Sequence, residues 1–232
     1  MRPGKKIALR LTDFGDPRSL SRRFRARRMA LLLPILEEIA ARRGQVRIID
    51  LGGTMRFWSL LPPGTMERLR LSITLVNLTG HVPPGVAAPF TAMEGDACAM
   101  HGLADRSFDL VHSNSVIEHV GDWARMQAFA DEAQRLAPRH FIQTPDWAFP
   151  VEPHCMTPFF HWLPRPVRIR LCQRFALGHW GRATSPEDAE LMVDSARLLS
   201  FAQMAELFPA STIVRERLFG LSKSLIAIGG SD

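Results

Sequence analysis

The 232-residue chain contains no tyrosine and only three cysteines, Cys98, Cys155 and Cys172. No two of these have CxxC or metal-ligand spacing. That argues against a disulfide framework and for a reducing compartment. The apolar runs are far too short to span a membrane. The run from Met29 to Leu36 follows basic residues, as in a signal peptide. However, it starts well inside the chain and runs into Glu37-Glu38 without a cleavage site. A cytoplasmic protein is expected. No internal repeat or low-complexity tract is present. What remains is an ordinary folding composition, 46% hydrophobic and 22% charged, in a length that fits one domain with a sizeable core.

The charge is unevenly placed. Residues 1–47 hold 13 Lys and Arg against 4 Asp and Glu, whereas the rest holds 16 against 19. Arg18, Arg22, Arg23, Arg25, Arg27 and Arg28 form the basic cluster. Such a cluster is either a solvated helix face or an attractor for nucleic acid, anionic lipid or a phosphorylated ligand.

Residues 1–17 read as an irregular lead-in. Ser19 or Ser21 could cap a helix carrying the arginines. Leu32, Ile35, Leu36 and Ile39 continue at helical spacing until Gly44, with Pro34 expected to kink the helix or begin a second one. Apolar runs then mark strands at 46–51, 71–78, near 90–93, 108–112 and 140–143. A short helix is expected at 54–61 and a longer one at 122–136, with Trp123, Met126, Phe129, Ala130 and Ala133 on one face. This alternation predicts an α/β, Rossmann-like, doubly wound and mostly parallel sheet of about seven strands. Residues 144–190, rich in Pro, Trp, Phe and Arg, break the rhythm and read as an insertion or lid after strand 5. A helix at 198–207 and a strand pair at 213–218 and 224–228, joined near Gly220, close the chain.

Four stations along this pattern carry candidate chemistry. Val46-Arg47-Ile48-Ile49-Asp50-Leu51-Gly52-Gly53-Thr54 is a buried strand ending in an acid and two glycines, which permit a sharp turn close to a ligand. Asn77 ends strand 2. Gly95-Asp96-Ala97 follows strand 3. Phe108-Asp109-Leu110-Val111-His112-Ser113-Asn114-Ser115-Val116-Ile117-Glu118-His119-Val120 delivers polar residues and then a Glu-His pair. In this order the stations resemble class I S-adenosylmethionine (SAM)-dependent methyltransferases. The last of them resembles the type-11 group that includes ubiquinone- and biotin-pathway enzymes. Thr54, Met55 and Arg56 depart from that pattern by standing where further glycines are usual, as does Asn77 where an acid is usual.

The resemblance implies SAM as the methyl donor, held by Asp50, Gly52, Gly53, Thr54, Asn77, Asp96, Ala97, Ser113 and Asn114. It divides the single domain, 1–232, into a basic helical region (1–44), a SAM-binding core (45–143), a substrate lid (144–190) and a closing helix and strand pair (191–232). His119 is a candidate base, since neutral imidazole accepts a hydroxyl proton near pH 7. Related enzymes hold a divalent metal on Glu-x-x-Glu-His. Here Ser115 takes the place of the first Glu, so no metal is expected. Thr144-Pro145-Asp146-Trp147-Ala148-Phe149-Pro150-Val151-Glu152-Pro153-His154 adds Glu152 and His154 on a proline-stiffened loop, candidates for orienting the acceptor and for the base. The expected reaction is methyl transfer, most simply to oxygen, on a small acceptor. The aromatics and arginines from Pro158 to Phe175 suit an apolar or lipid-linked acceptor, or peripheral membrane contact. The rival readings are an RNA methyltransferase, which lacks any RNA-binding module, and a non-catalytic scaffold of the same fold.

Overall fold

The computed structural model describes residues 19–83 and 85–230. The expected lead-in at residues 1–17, and Arg18 with it, lie outside the described residues. Ser19 accepts the Arg22 N–H and caps α1, Leu20–Arg43, which ends at Gly44 in the left-handed conformation (φ 75°). Pro34 lies inside this one helix and does not begin a second. Phe24, Arg28, Met29, Leu32, Leu36 and Ile39 form the buried stripe that docks α1 onto the sheet.

The sheet has seven strands in the order β3-β2-β1-β4-β5-β9-β8. They are β1 (Val46–Leu51), β2 (Leu71–Asn77), β3 (Phe90–Glu94), β4 (Leu110–Asn114), β5 (Arg139–Pro145), β8 (Thr212–Leu218) and β9 (Leu221–Gly229). The first five run parallel, and β9 is antiparallel to both β5 and β8. This is the mostly parallel, doubly wound sheet that the alternation predicts. β4 begins two residues later than expected. Phe108 instead donates its N–H to the Leu136 carbonyl, which ties the approach to β4 to the end of the next helix.

Successive side chains of a strand point to opposite faces, so the sheet has two cores. Ile49, Leu51, Val111 and Ile142 pack with Phe129, Ala133 and Phe208. Ile48, Leu110 and Phe141 pack with Leu32, Leu36 and Ile39 of α1 and with Phe57 and Trp58 of α2, Met55–Trp58. The helix between β4 and β5, α3 (Trp123–Leu136), is capped by Asp122, which accepts the Arg125 N–H.

The segment after β5 forms a two-stranded hairpin, β6 (Val151–Glu152) with β7 (Thr157–Pro158), followed by short helices. Cys155, Phe160, Cys172, Ala189 and Val193 give it a small core of its own. Among the described residues no helix is long and apolar enough to cross a membrane.

Candidate active site

Strands β1 to β5 are parallel, so their carboxyl ends share one edge of the sheet. There, a cavity of about 500 Å³ is lined by Gly52, Asn77, Gly95, Asp96 and Ala97, closed on the far side by Ser115, Val116, His119 and Arg125. Gly52 lies at φ 69°, and a Cβ there would overlap Val116. A Cβ on Gly53 would overlap the Asp50 carboxyl. Both positions therefore exclude larger residues. Asn77 donates its side-chain N–H to the Gly53 carbonyl (3.0 Å), which ties the turn to β2. Asp96 accepts the Cys98 N–H and two bonds from Arg125 Nη2 (2.6 and 2.8 Å). Burial works to raise the Asp96 pKa, but Arg125 and the Cys98 N–H outweigh it and hold the carboxyl below the usual aspartate range.

Four of the nine expected cofactor residues, Gly52, Asn77, Asp96 and Ala97, line this cavity. The other five are placed elsewhere. Asp50 pairs in register with His112 on the neighbouring strand, so the pleat turns both side chains to the face covered by α2. One Asp50 oxygen accepts the Trp58 indole N–H (2.8 Å), and the other bonds His112 Nδ1 (2.6 Å). The acid is 1% exposed. It is a buried tie between β1, β4 and α2, not a side chain in the crevice. Gly53 sits against that carboxyl, and Thr54 is exposed at the N-cap of α2. Ser113 donates to the Leu51 carbonyl (2.9 Å). Asn114 accepts from Arg28 (2.7 Å).

Arg28 also departs from expectation. Read as part of a basic face, it is instead 4% exposed. Its guanidinium bonds Glu216 twice (2.8 and 2.6 Å), Gln143, Asn114 and Ser224. It fastens α1 across the ends of β4, β5, β8 and β9.

A second polar cluster joins the turn after β4 to the hairpin after β5. Glu118 and His119 lie on the single turn Ile117–His119, and Glu152 and His154 on and beside β6. His119 Nδ1 lies 2.7 Å from the Ser195 carbonyl, which can only accept, so this nitrogen carries the proton. His154 Nδ1 lies 2.7 Å from the Glu152 carboxylate, and the same argument makes it a donor. The two Nε2 atoms face each other at 3.1 Å. With both rings neutral, two lone pairs would meet there. A proton or a cation must sit between them.

The electrostatics favour a charged Glu152–His154 pair. Burial pushes the His154 pKa down, but the Glu152 carboxylate outweighs it and holds His154 above the ordinary histidine range. Glu152 is correspondingly held low, against its own burial, by His154 and by the Cys155 N–H (2.8 Å). Glu118 is the opposite case. Burial pushes its carboxyl up, against the pull of His119 and His154. Thr144 donates to one of its oxygens (3.0 Å), while the other is buried without a hydrogen-bond partner. One oxygen of Glu118 and one nitrogen from each of His119 and His154 lie within 4.8 Å of one another. The sequence places His154 beside His119 as a candidate base but offers only Glu118 and His119 as metal ligands; the hairpin brings His154 to them from 35 residues away.

Next to the cavity at Gly52 and Asp96 lies another, of about 440 Å³, between α1, β9 and the hairpin. Ser115 and His119 line both cavities. A third, of about 330 Å³, lies against the segment after β5 and is also lined by Glu152 and His154.

Residues 72–139 match the family model described as a methyltransferase domain. No curated protein matches by sequence. Among solved structures, the chain is similar to the N-terminal domain of EvdMO1 in the presence of SAH and D-fucose (16% identity, TM-score 0.51, covering 100% of this chain and 98% of that one). It is similar to a SAM-dependent methyltransferase from Archaeoglobus fulgidus (13% identity, TM-score 0.51, 87% and 94%). It also resembles the CurJ carbon methyltransferase (12% identity, TM-score 0.55, 97% and 61%). The chain spans 59% of the length of an O-methyltransferase family protein from Burkholderia thailandensis that it matches. The sheet thus has the fold of these methyltransferase structures, and the segment from β2 to the start of β5 matches a methyltransferase domain.

Proposed function

We propose that the chain is an enzyme transferring the methyl group of SAM to a hydroxyl oxygen of a small-molecule acceptor. Gly52, Asn77, Asp96 and Ala97 would hold the cofactor. The side-chain carbonyl of Asn77 makes no described hydrogen bond and stands where a ribose hydroxyl could donate to it. When bound, SAM supplies an electrophilic methyl group on a sulfonium, and the products are the methylated oxygen and SAH. The chain's own task is then to align the acceptor and remove its proton.

The observation that carries this reading is the position of His119. It lines the cofactor cavity and the adjoining cavity alike, and its Nε2 faces His154, which Glu152 orients. The acceptor oxygen would lose its proton to this histidine pair as the new C–O bond forms, and Glu152 would stabilise the resulting imidazolium. A small acceptor accords with the size of the adjoining cavity and with the D-fucose present alongside the EvdMO1 domain. The exposed Trp147, Phe159 and Trp162 beside the hairpin suit an apolar or lipid-linked acceptor. Screening hydroxylated small molecules with labelled SAM tests the reading. Label should enter an oxygen-linked methyl, and His154→Ala should abolish it while SAH still binds.

A second reading rests on the donor set Glu118, His119 and His154. With the Nδ1 atom of each ring engaged, both Nε2 lone pairs and the unpartnered Glu118 oxygen are free to ligate a divalent cation. Ser195 and Glu152 would then orient the two imidazoles. A bound cation would supply Lewis acidity to the acceptor oxygen. Calorimetric titration with Mn²⁺ and Zn²⁺, repeated on Glu118→Gln, separates the two readings. The base reading expects no binding that depends on Glu118.

A further inference from the structure

The cavity of about 440 Å³ beside His119 has walls of two kinds. Leu20, Phe24, Phe149, Val151, Met156 and Leu218 supply apolar surface, while Arg25, Arg28 and Lys223 bring three cations to it. The three differ in how they are satisfied. Arg28 is taken up by Glu216 and three neutral acceptors. Arg25 bonds Ser21. Lys223 has no carboxylate partner among the described residues. Its ammonium lies 4.6 Å from the centroid of the Phe24 ring. Burial, helped by the charges of Arg28 and Arg25 and opposed by Glu216, lowers its pKa to about 8. An ammonium on an apolar wall without a carboxylate paired to it is costly unless something supplies one. Asp146 also lines the cavity, but one of its oxygens accepts the Ala148 N–H, and its carboxylate is not among the groups that act on Lys223.

We infer that the acceptor is an amphiphile with an oxyanion head, a carboxylate or a phosphate, seated against Lys223 and Arg25, with its apolar body lying along Phe24, Phe149 and Met156. This rests on the methyltransferase reading, because Ser115 and His119 mark the end of the cavity that opens towards the cofactor. The head would occupy the end formed by α1 and β9, and the reacting hydroxyl the end at His119. Lys223 then acts in specificity. It selects anionic over neutral acceptors and touches neither the cofactor nor the histidine pair.

The test compares three probes with the same apolar body: decanoate, decyl phosphate and decanol. Each is titrated into the protein calorimetrically, with and without saturating SAH. The two anions should bind about tenfold or more tightly than decanol, the size of one charge-assisted hydrogen bond. Whichever anion binds more tightly identifies the head. Lys223→Met, which keeps the apolar stem, should remove most of that preference and leave decanol binding unchanged. Lys223→Arg should restore it. SAH affinity should be the same in all three proteins, which also shows that the variants fold. Equal binding of decanol, absence of anion binding, or an anion preference that survives Lys223→Met overturns the inference. Loss of SAH binding by the wild type would instead count against the methyltransferase reading, and the titrations without SAH would still report the head-group preference.

Discussion

His119 and His154 face each other through their Nε2 atoms at 3.1 Å, and each ring is held from behind by an acceptor on its Nδ1. Two protonated nitrogens cannot face each other in this way, and neither can two lone pairs. With a histidine pair as the base and no cation between the rings, the pair therefore shares one proton. Glu152 holds His154 above the ordinary histidine range, which favours the protonated form of His154. It becomes a free base only as the pH rises through its elevated pKa.

Two consequences for pH follow. The acidic limb of the kcat/KM profile should lie above about pH 6.5, the unperturbed histidine value. Glu152→Gln should move that limb down and lower the plateau by about 10²–10⁴-fold, the usual worth of a positioned base. The raised pKa also contributes stability that is fully present below the unfolded value and is lost as the pH rises through the folded one. A profile whose limb stays in place in Glu152→Gln would assign the titration to another group.

Asp50→Ala should act mainly on the fold. It leaves the Trp58 indole N–H and His112 Nδ1 without partners inside the sheet. A loss of roughly 2–4 kcal/mol is expected from two stranded buried groups. Chemical denaturation measures this, and SAH affinity measured on the fraction still folded should change far less.

Arg28→Met strands Glu216, whose carboxylate then lies buried with only Ser224 bonded to it. The single change should cost about 3–5 kcal/mol, as breaking a buried ion pair from one side does. Arg28→Met combined with Glu216→Met should be more stable than Arg28→Met alone. If the double variant is the less stable, the pair contributes more than its desolvation costs.

His140 is buried, its Nε2 lies 2.7 Å from the Ser211 hydroxyl, and burial lowers its pKa to about 4. The unfolded chain therefore binds this proton more readily. Stability should be complete above the unfolded value of about 6.5 and fall as the pH drops towards 4, by roughly 3 kcal/mol at most. His140→Gln should flatten that part of the stability profile, and an unchanged slope would place the acid sensitivity elsewhere.

Much of this was legible in the residues, and the exceptions have common causes. The parallel strands could be read because burial on both faces makes them continuous apolar runs. Gly52, Asn77, Asp96 and Ala97 follow directly on strand ends, so sequence order alone carries them to one cavity. Asp50 is also near a strand end, but its direction depends on the pleat and on which side α2 packs, neither of which its neighbours in sequence reveal. Arg28 looks like its solvated neighbours until Glu216, at the far end of the chain, is brought to it. The meeting of His119 with His154 depends on β4 and β5 lying side by side. Lys223 stands in the closing strand pair, where nothing local marks it as part of a cavity.

Calorimetric titration of SAH into the wild-type protein and into Asp96→Ala tests the central claim most directly. One site is expected in the wild type, weakened about tenfold or more in Asp96→Ala, because Asp96 lines the cavity and holds Arg125 at its rim. No heat of binding by the folded wild type at millimolar SAH, or full affinity in Asp96→Ala, would contradict the assignment of this cavity to the methyl donor.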